Sequence, residues 1–331
     1  MILITYGTRP EYIKIKPLIN EMLKQNVPFK TLFTGQHKDL VIDKATYNVY
    51  MVNNTNNRLD NIINNCTMLP DEWFNDIKYI LVQGDTTSVL GLSLSAFNRK
   101  IKVIHLEAGL RTYDNNNPYP EELNRSCISK IATIHFCPTS INYDNLKREH
   151  VFGNINIVGN TSIDAILPYK DKVTTGGGCL ITLHRRENQS SMTQWLLALN
   201  QLAIKHHPMV FTFIAHPNFK IDNQQDIKNL YVITAVPHDK MLDLLVKTDI
   251  IISDSGGIQE ESSFLHKPVI VCRKETERPE AIGTTSFMCS EPEYLPEVFE
   301  FVQSTKLKPF HEKCPFGDGH AAEKIVKILY D

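Results

Sequence analysis

The stretch "DSGGIQEESSF", Asp254 to Phe264, leaves the apolar run "IIIS" of 250–253 through an acidic residue, a hydroxyl and two glycines, and precedes "LHKPVIVC" at 265–272. An apolar run without polar alternation suits a strand covered on both faces, as in a parallel sheet flanked by helices. Residues 256–264 then read as the helix crossing to the next strand. In open parallel sheets, ligands sit outside the carboxyl ends of strands, where loops and helix starts converge. Gly256 and Gly257 would let backbone N–H groups approach an anion such as phosphate at that helix start, with Ser255 adding a hydrogen bond. Glu261, one turn further, is placed to accept from the hydroxyls of a nucleotide ribose. The plain alternative is a capped helix whose glycines serve tight packing.

The same alternation runs outward in both directions. "ILITYG", "FKTLFTG", "YILVQG", "KVIHLEAG", "IHFCPT" and "INIVGN" punctuate the first half, and "CLITLHR", "VFTFIAHP", "LYVITAV", "PVIVCR" and "TSFMCS" join the opening stretch in the second. This predicts an α/β fold with two doubly wound Rossmann-like domains facing a central cleft. The polar "YKDKVTTGGG", Tyr169 to Gly178, reads as a flexible connector. The expected division is 1–168, a connector at 169–178, 179–316, and a terminal helix at 317–331 carried by the amphipathic "DGHAAEKIVKILY". A length of 331 residues suits two such domains.

Composition narrows the function. With 42% hydrophobic and 22% charged residues the chain reads as soluble and globular, and 35 basic against 37 acidic side chains give a net charge of −2. Such a balance supplies no long-range field for nucleic acid or an anionic membrane. No apolar stretch reaches the ~20 residues that cross a bilayer, so a cytoplasmic protein is expected. Seven scattered cysteines show no CxxC pair and no zinc spacing, which fits buried free thiols and no metal site.

Other strand ends carry their own candidates. In "YGTRPEYIK", Gly7 makes a turn, Thr8 caps, Pro10 suits a first helical turn and Arg9 stands where a phosphate would lie. Asp85 follows Gly84 in "VQGDTTS". Glu107 ends the strand of "IHLEAGLRT", and Glu121 and Glu122 open a helix after an Asn/Pro loop. Carboxylates gathered in a cleft would raise one another's pKa, which suits acid or base work near neutrality. "ITLHRREN" sets His184, Arg185 and Arg186 after a strand, and arginine suits a departing diphosphate because it stays charged and grips two oxygens. "IAHPN" adds His216, and "CRKETERPEA" adds Arg273, Glu277, Arg278 and Glu280 as weaker candidates. Each has a bland counterpart as a cap, a dipole partner or a solvated turn. The absence of P-loop, HExxH, GxSxG and dinucleotide-fingerprint spacings argues against NAD, ATP and zinc chemistry.

Together, "GTRPE", "TGQH", "VQGDTTS", "HLEAGLRT", "PYPEELNR", "GNTSIDA", "HRREN", "DSGGIQEE", "TERPEA" and "PFGDGHAAEKI" resemble, in order and spacing over nearly the whole chain, the non-hydrolysing UDP-N-acetylglucosamine 2-epimerases. The resemblance implies a glycosyltransferase B architecture whose last helix crosses back to the first domain. It also implies conversion of UDP-N-acetylglucosamine to UDP-N-acetylmannosamine with no added cofactor, and a homodimer. It assigns catalysis to Asp85, Glu107, Glu121 and His184, and substrate contacts to Arg9, Lys14, Ser255, Gly256, Gly257 and Glu261, beside the Arg185 and His216 of the residue-level reading. Bacterial members also carry a regulatory site for a second substrate molecule; of its residues Gln36 is present here, Asp39 stands where a second glutamine is expected, and Arg58 is a loose match for its arginine. Neighbouring expectations are a 2-epimerase of a UDP-linked 6-deoxy or related amino sugar, or a glycosyltransferase of the same architecture.

Overall fold

The computed structural model describes residues 1–36, 45–215, 228–305 and 314–330. The chain divides into two compact units, Met1–Ala165 with Gly317–Asp331, and Ile166–Phe316.

Unit 1 holds seven strands: β1 (Ile2–Tyr6), β2 (Phe29–Phe33), β3 (Tyr47–Asn48), β4 (Tyr79–Gln83), β5 (Lys102–Leu106), β6 (Ile134–Cys137) and β7 (Asn154–Ile157). Helices α1 (Arg9–Lys24), α2 (Arg58–Thr67), α3 (Thr87–Asn98), α4 (Glu121–Ile131), α5 (Ser140–Arg148) and α6 (Thr161–Ile166) alternate with them. The strand order is β3-β2-β1-β4-β5-β6-β7, with every pair parallel. Chain order reverses between β1 and β4, so the loops after these two strands diverge to opposite faces and leave a crevice at the carboxyl edge. Arg9, the first residue of α1, follows the first of these loops and Asp85 sits on the second.

β1 is buried along its whole length, which is why it reads as an apolar run broken only by Thr5, whose hydroxyl donates to the Leu81 carbonyl. Helix α1 follows because Thr8 closes a capping box with Glu11 and Pro10 fits the first turn, while Ile15, Leu18 and Met22 face the core.

Unit 2 holds β8 (Cys179–Thr182), β9 (Phe211–Ala215), β10 (Tyr231–Thr234), β11 (Ile250–Ser253), β12 (Val269–Val271) and β13 (Ser286–Met288). Its helices are α7 (Met192–Lys205), α8 (His238–Leu245), α9 (Gly256–Phe264) and α10 (Leu295–Ser304). The parallel order β10-β9-β8-β11-β12-β13 reverses between β8 and β11. Ile252 pairs with Ile181 on one side and Ile270 on the other, in a core completed by Trp195, Phe211, Phe213 and Phe299.

The last helix, α11 (Ala321–Tyr330), belongs to unit 1. Ala322, Ile325 and Val326 join Ile15, Leu18 and Met22 in one apolar cluster, and side chains of this size each contribute roughly 1.5–3 kcal/mol when fully buried. Asp164 caps α11, its carboxylate accepting from the N–H groups of Ala321 (3.1 Å) and Ala322 (2.8 Å).

The run Gly176–Gly178, expected as a flexible connector, is instead tied to unit 2. Asp249 accepts from the N–H groups of Gly176 (2.8 Å) and Gly178 (3.0 Å), and the buried Lys267 ammonium donates to the carbonyls of Thr174 and Thr248. Gly178 has φ +74°, and a β-carbon there would meet the Val210 carbonyl oxygen at 2.3 Å. Gly177 and Gly178 serve close packing here rather than freedom, while Gly176, with open space around it, serves a positive φ of +88°.

Seven free cysteines are present, six of them buried, and burial pushes the Cys66 and Cys137 thiols up to about 12, which makes them poor nucleophiles. Among the described residues no helix is long and apolar enough to cross a membrane, and no group of three His, Cys, Asp or Glu side chains could hold a metal ion.

Candidate active site

The centre of the unit 1 site is Glu107, the residue after β5. Its φ of +60° places it in the left-handed region, a conformation costing about 1 kcal/mol or more for a side chain of this kind. The surroundings hold it there. Lys14 Nζ, from α1, lies 2.5 Å from Oε1 and 2.7 Å from Oε2; Asn160 Nδ2, from the loop after β7, donates to Oε1 at 3.1 Å; and Gln83 Nε2, at the end of β4, donates to Oε2. Three elements thus aim donors at one carboxylate. Gln83 and Asn160 are both 3% exposed, so their amides are committed to this contact.

Asp85 stands next to Gly84, whose φ of +78° is the left-handed backbone that glycine adopts without strain. Arg125 of α4 grips Asp85 Oδ2 through Nε (2.8 Å) and Nη2 (2.7 Å), and Asn124 donates to the Asp85 carbonyl. His105 Nε2–H donates to the Gly84 carbonyl at 2.8 Å; burial drives its pKa down to about 3, so the ring is neutral near pH 7 and acts as a fixed strut.

The crowding of like charges expected at this site is therefore offset, since Glu107 and Asp85 each have a cation of their own. Glu121 is the first residue of α4 and partly exposed, one turn before Arg125 and on the same helix face. Its neighbour Glu122 is 1% exposed, bonded to Arg125 Nη1 and to the Tyr113 N–H, and serves the fold.

A further carboxyl was not singled out in the sequence. Glu11 is 3% exposed and accepts from the N–H groups of Gly7 (2.6 Å) and Thr8 (3.3 Å) through Oε2, and from the Thr86 hydroxyl (2.7 Å) through Oε1. It joins the turn carrying Arg9 to the turn carrying Asp85. Burial pushes its pKa from 4.5 to about 7, against the lowering effect of those hydrogen bonds. Arg9 itself is exposed.

In unit 2 the two turns at the reversal point meet through Asp254. This fully buried carboxylate accepts from the backbone N–H groups of His184 and Arg185, each at 2.9 Å from Oδ2, and from Asn188 Nδ2 at 3.0 Å. The His184 ring is exposed, its Nδ1 3.4 Å from Asp254 Oδ1, and the Arg185 side chain is partly exposed. Ser255 occupies the N-cap position of α9 without a side-chain capping bond, and the first-turn N–H groups of Gly256 and Gly257 have no acceptor within the helix, an arrangement that suits an anion.

The two glycines differ in what they serve. A β-carbon on Gly256 would lie 2.3 Å from Arg278 Nη1, whereas one on Gly257 would meet nothing nearer than Ser255 Oγ at 3.9 Å. Gly256 makes room for a buried network in which Arg273 bonds Glu187 and Glu277, and Arg278 bonds Glu277 and Glu260. Arg273, Glu277 and Arg278 thus brace the loop after β12. Glu261 is 6% exposed, with His238 Nε2 at 2.9 Å from Oε1. His216 and Asp39 lie outside the described residues.

Two all-parallel Rossmann-like domains, one with two carboxylates held by cations at its strand ends and the other with a diglycine helix start, define an α/β protein of glycosyltransferase-B-like fold. The sequence model of the UDP-N-acetylglucosamine 2-epimerases matches residues 21–330. A UDP-N-acetylglucosamine 2-epimerase of Salmonella borreze is 34% identical, over 98% of this chain and 97% of its own. The crystal structure of the UDP-GlcNAc 2-epimerase of Neisseria meningitidis bound to UDP-GlcNAc superposes with a TM-score of 0.85 at 34% identity, covering 99% of both chains. That of Methanocaldococcus jannaschii, in complex with UDP-GlcNAc and UDP, gives 0.82 at 29% identity, again over 99% of both. The chain belongs to the UDP-N-acetylglucosamine 2-epimerase family.

Proposed function

We propose that this chain epimerises carbon 2 of UDP-N-acetylglucosamine, giving UDP-N-acetylmannosamine. The observation that carries the reading is Glu107, held by Lys14, Gln83 and Asn160 at the end of β5, in a chain matched by this family over nearly its whole length.

The proton on sugar carbon 2 is weakly acidic, so its direct removal faces a high barrier. Breaking the bond from carbon 1 to the diphosphate oxygen first leaves positive charge on the ring and acidifies that proton. UDP leaves with the bonding pair, a carboxylate takes the proton, and carbons 1 and 2 become doubly bonded in a 2-acetamidoglucal. Protonation of carbon 2 on the other face and return of UDP to carbon 1 complete the exchange. Ser255, Gly256, Gly257, Arg9, Arg185 and His184 stabilise the departing diphosphate, and Glu261 holds the ribose. Asp85, Glu107 and Glu121 share the ring charge and the proton transfers, because two faces require two proton carriers. His216 is a further substrate contact in this reading. The enzyme acts in the cytoplasm as a homodimer.

Turnover in deuterated water tests it. Deuterium at carbon 2 of both nucleotide sugars is expected, and a product free of label would overturn proton exchange at that carbon. Anomeric proton NMR of the mixture identifies the product directly.

A further inference from the structure

Resting on the reading of Glu261 as the ribose acceptor, we infer that His238 is a positioning residue for nucleotide recognition: its imidazole holds the Glu261 carboxylate in the orientation that a ribose diol needs.

The geometry is specific. His238 is the first residue of α8 and is fixed there by Leu242 and Leu245, both buried beneath the same helix. Its side chain is 25% exposed and that of Glu261 8%, with Nε2 and Oε1 2.9 Å apart. An ionised carboxylate only accepts, so Nε2 carries the proton and donates a charge-assisted bond. The bond uses one acceptor site of Oε1 and leaves another there, with both on Oε2, enough for two vicinal hydroxyls.

Glu261 sits on α9 with a side chain of three rotatable torsions, and no other side chain is seen bonding its carboxylate among the described residues. Without His238 the carboxylate would sample several rotamers, and a ligand would have to order it on binding. Binding affinity for ribose should therefore depend on a residue that touches no part of the nucleotide. Bond breaking at the far end of the diphosphate should not.

Calorimetric titration of UDP and of 2′-deoxy-UDP into the parent, His238→Ala, His238→Gln and Glu261→Gln separates the possibilities. His238→Ala should weaken UDP about tenfold and raise KM by a similar factor with kcat unchanged, while changing 2′-deoxy-UDP by no more than about twofold. His238→Gln, whose amide can donate from a similar place, should recover most of the UDP affinity.

Equal weakening of both nucleotides by His238→Ala, or a fall in kcat alone, would show that the imidazole only supports the fold and would overturn the inference. So would undiminished UDP binding by His238→Ala when Glu261→Gln is weakened, although the ribose role of Glu261 would then survive. Undiminished binding by Glu261→Gln would remove that underlying role itself.

Discussion

Lys14 Nζ and the Glu107 carboxylate, 2.5 and 2.7 Å apart at its two oxygens, join α1 to the turn after β5 with side-chain exposures of 14% and 8%. Two charges so far from water are worth little as a pair, yet removing one leaves the other desolvated without its counter-ion. Lys14→Met is therefore expected to destabilise unit 1 by about 2–4 kcal/mol, and Lys14→Met with Glu107→Gln to be more stable than Lys14→Met alone. Urea midpoints of the four proteins measure this coupling. Strict additivity would mean the two groups do not sense each other.

Gly256 and Gly257 predict opposite outcomes for the same substitution. Gly256→Ala drives a methyl into the Arg278 guanidinium and should lower the melting temperature by several degrees through the buried Arg–Glu network. Gly257→Ala meets open space, so the fold should melt within about 2 °C of the parent while UDP binds at least about tenfold more weakly. Differential scanning fluorimetry with and without UDP distinguishes them. Unchanged UDP affinity in Gly257→Ala would take the helix start out of diphosphate binding.

How much of this was legible in the sequence depends on whether the information was local. The strand ends were, because unbroken apolar runs followed by Gly, Asp, Glu or His mark the carboxyl edge of a parallel sheet, and Asp85, Glu107, His184 and Ser255 all sit there. β3 was not, since two residues carry no periodicity. Gln83 and Asn160 stand 24 and 53 residues from the Glu107 they hold, and His238 stands 23 from Glu261. Such partners follow from strand order and helix packing, which spacing along the chain does not encode. The triple glycine misled for a related reason. Composition reads it as freedom, while Asp249 and Lys267, far along the chain, close it down.

Adjacent glutamates at the start of α4 divide the labour. Glu122 is buried against Arg125 Nη1 (2.8 Å) and the Tyr113 N–H (3.0 Å), so Glu122→Gln should destabilise the protein by roughly 2–3 kcal/mol. Glu121, partly exposed, should tolerate the amide with little change in the urea midpoint but lose about 10²–10⁴-fold in kcat. Comparing denaturation and turnover of the two variants decides it. A Glu121→Gln enzyme turning over at the parent rate would remove that carboxylate from the chemistry.

Glu11 should make stability fall as pH rises toward neutrality. Burial raises its folded-state pKa from 4.5 to about 7, so between these values the native state holds a proton that the unfolded chain has released. The stabilisation is complete below pH 4.5 and is lost as pH climbs through about 7, in an amount on the order of 3 kcal/mol. Asp164, raised from 3.8 to about 6, acts with the same sign in parent and variant alike and cancels from their difference. Glu11→Gln cannot ionise, yet its carbonyl can accept from the Gly7 and Thr8 N–H groups and its amide can donate to the Thr86 hydroxyl. The variant should match the parent near pH 5 and gain on it steadily up to pH 8, as read from urea midpoints across that range. Parallel curves for the two proteins would show that the buried carboxyl releases its proton equally readily in the folded and unfolded states.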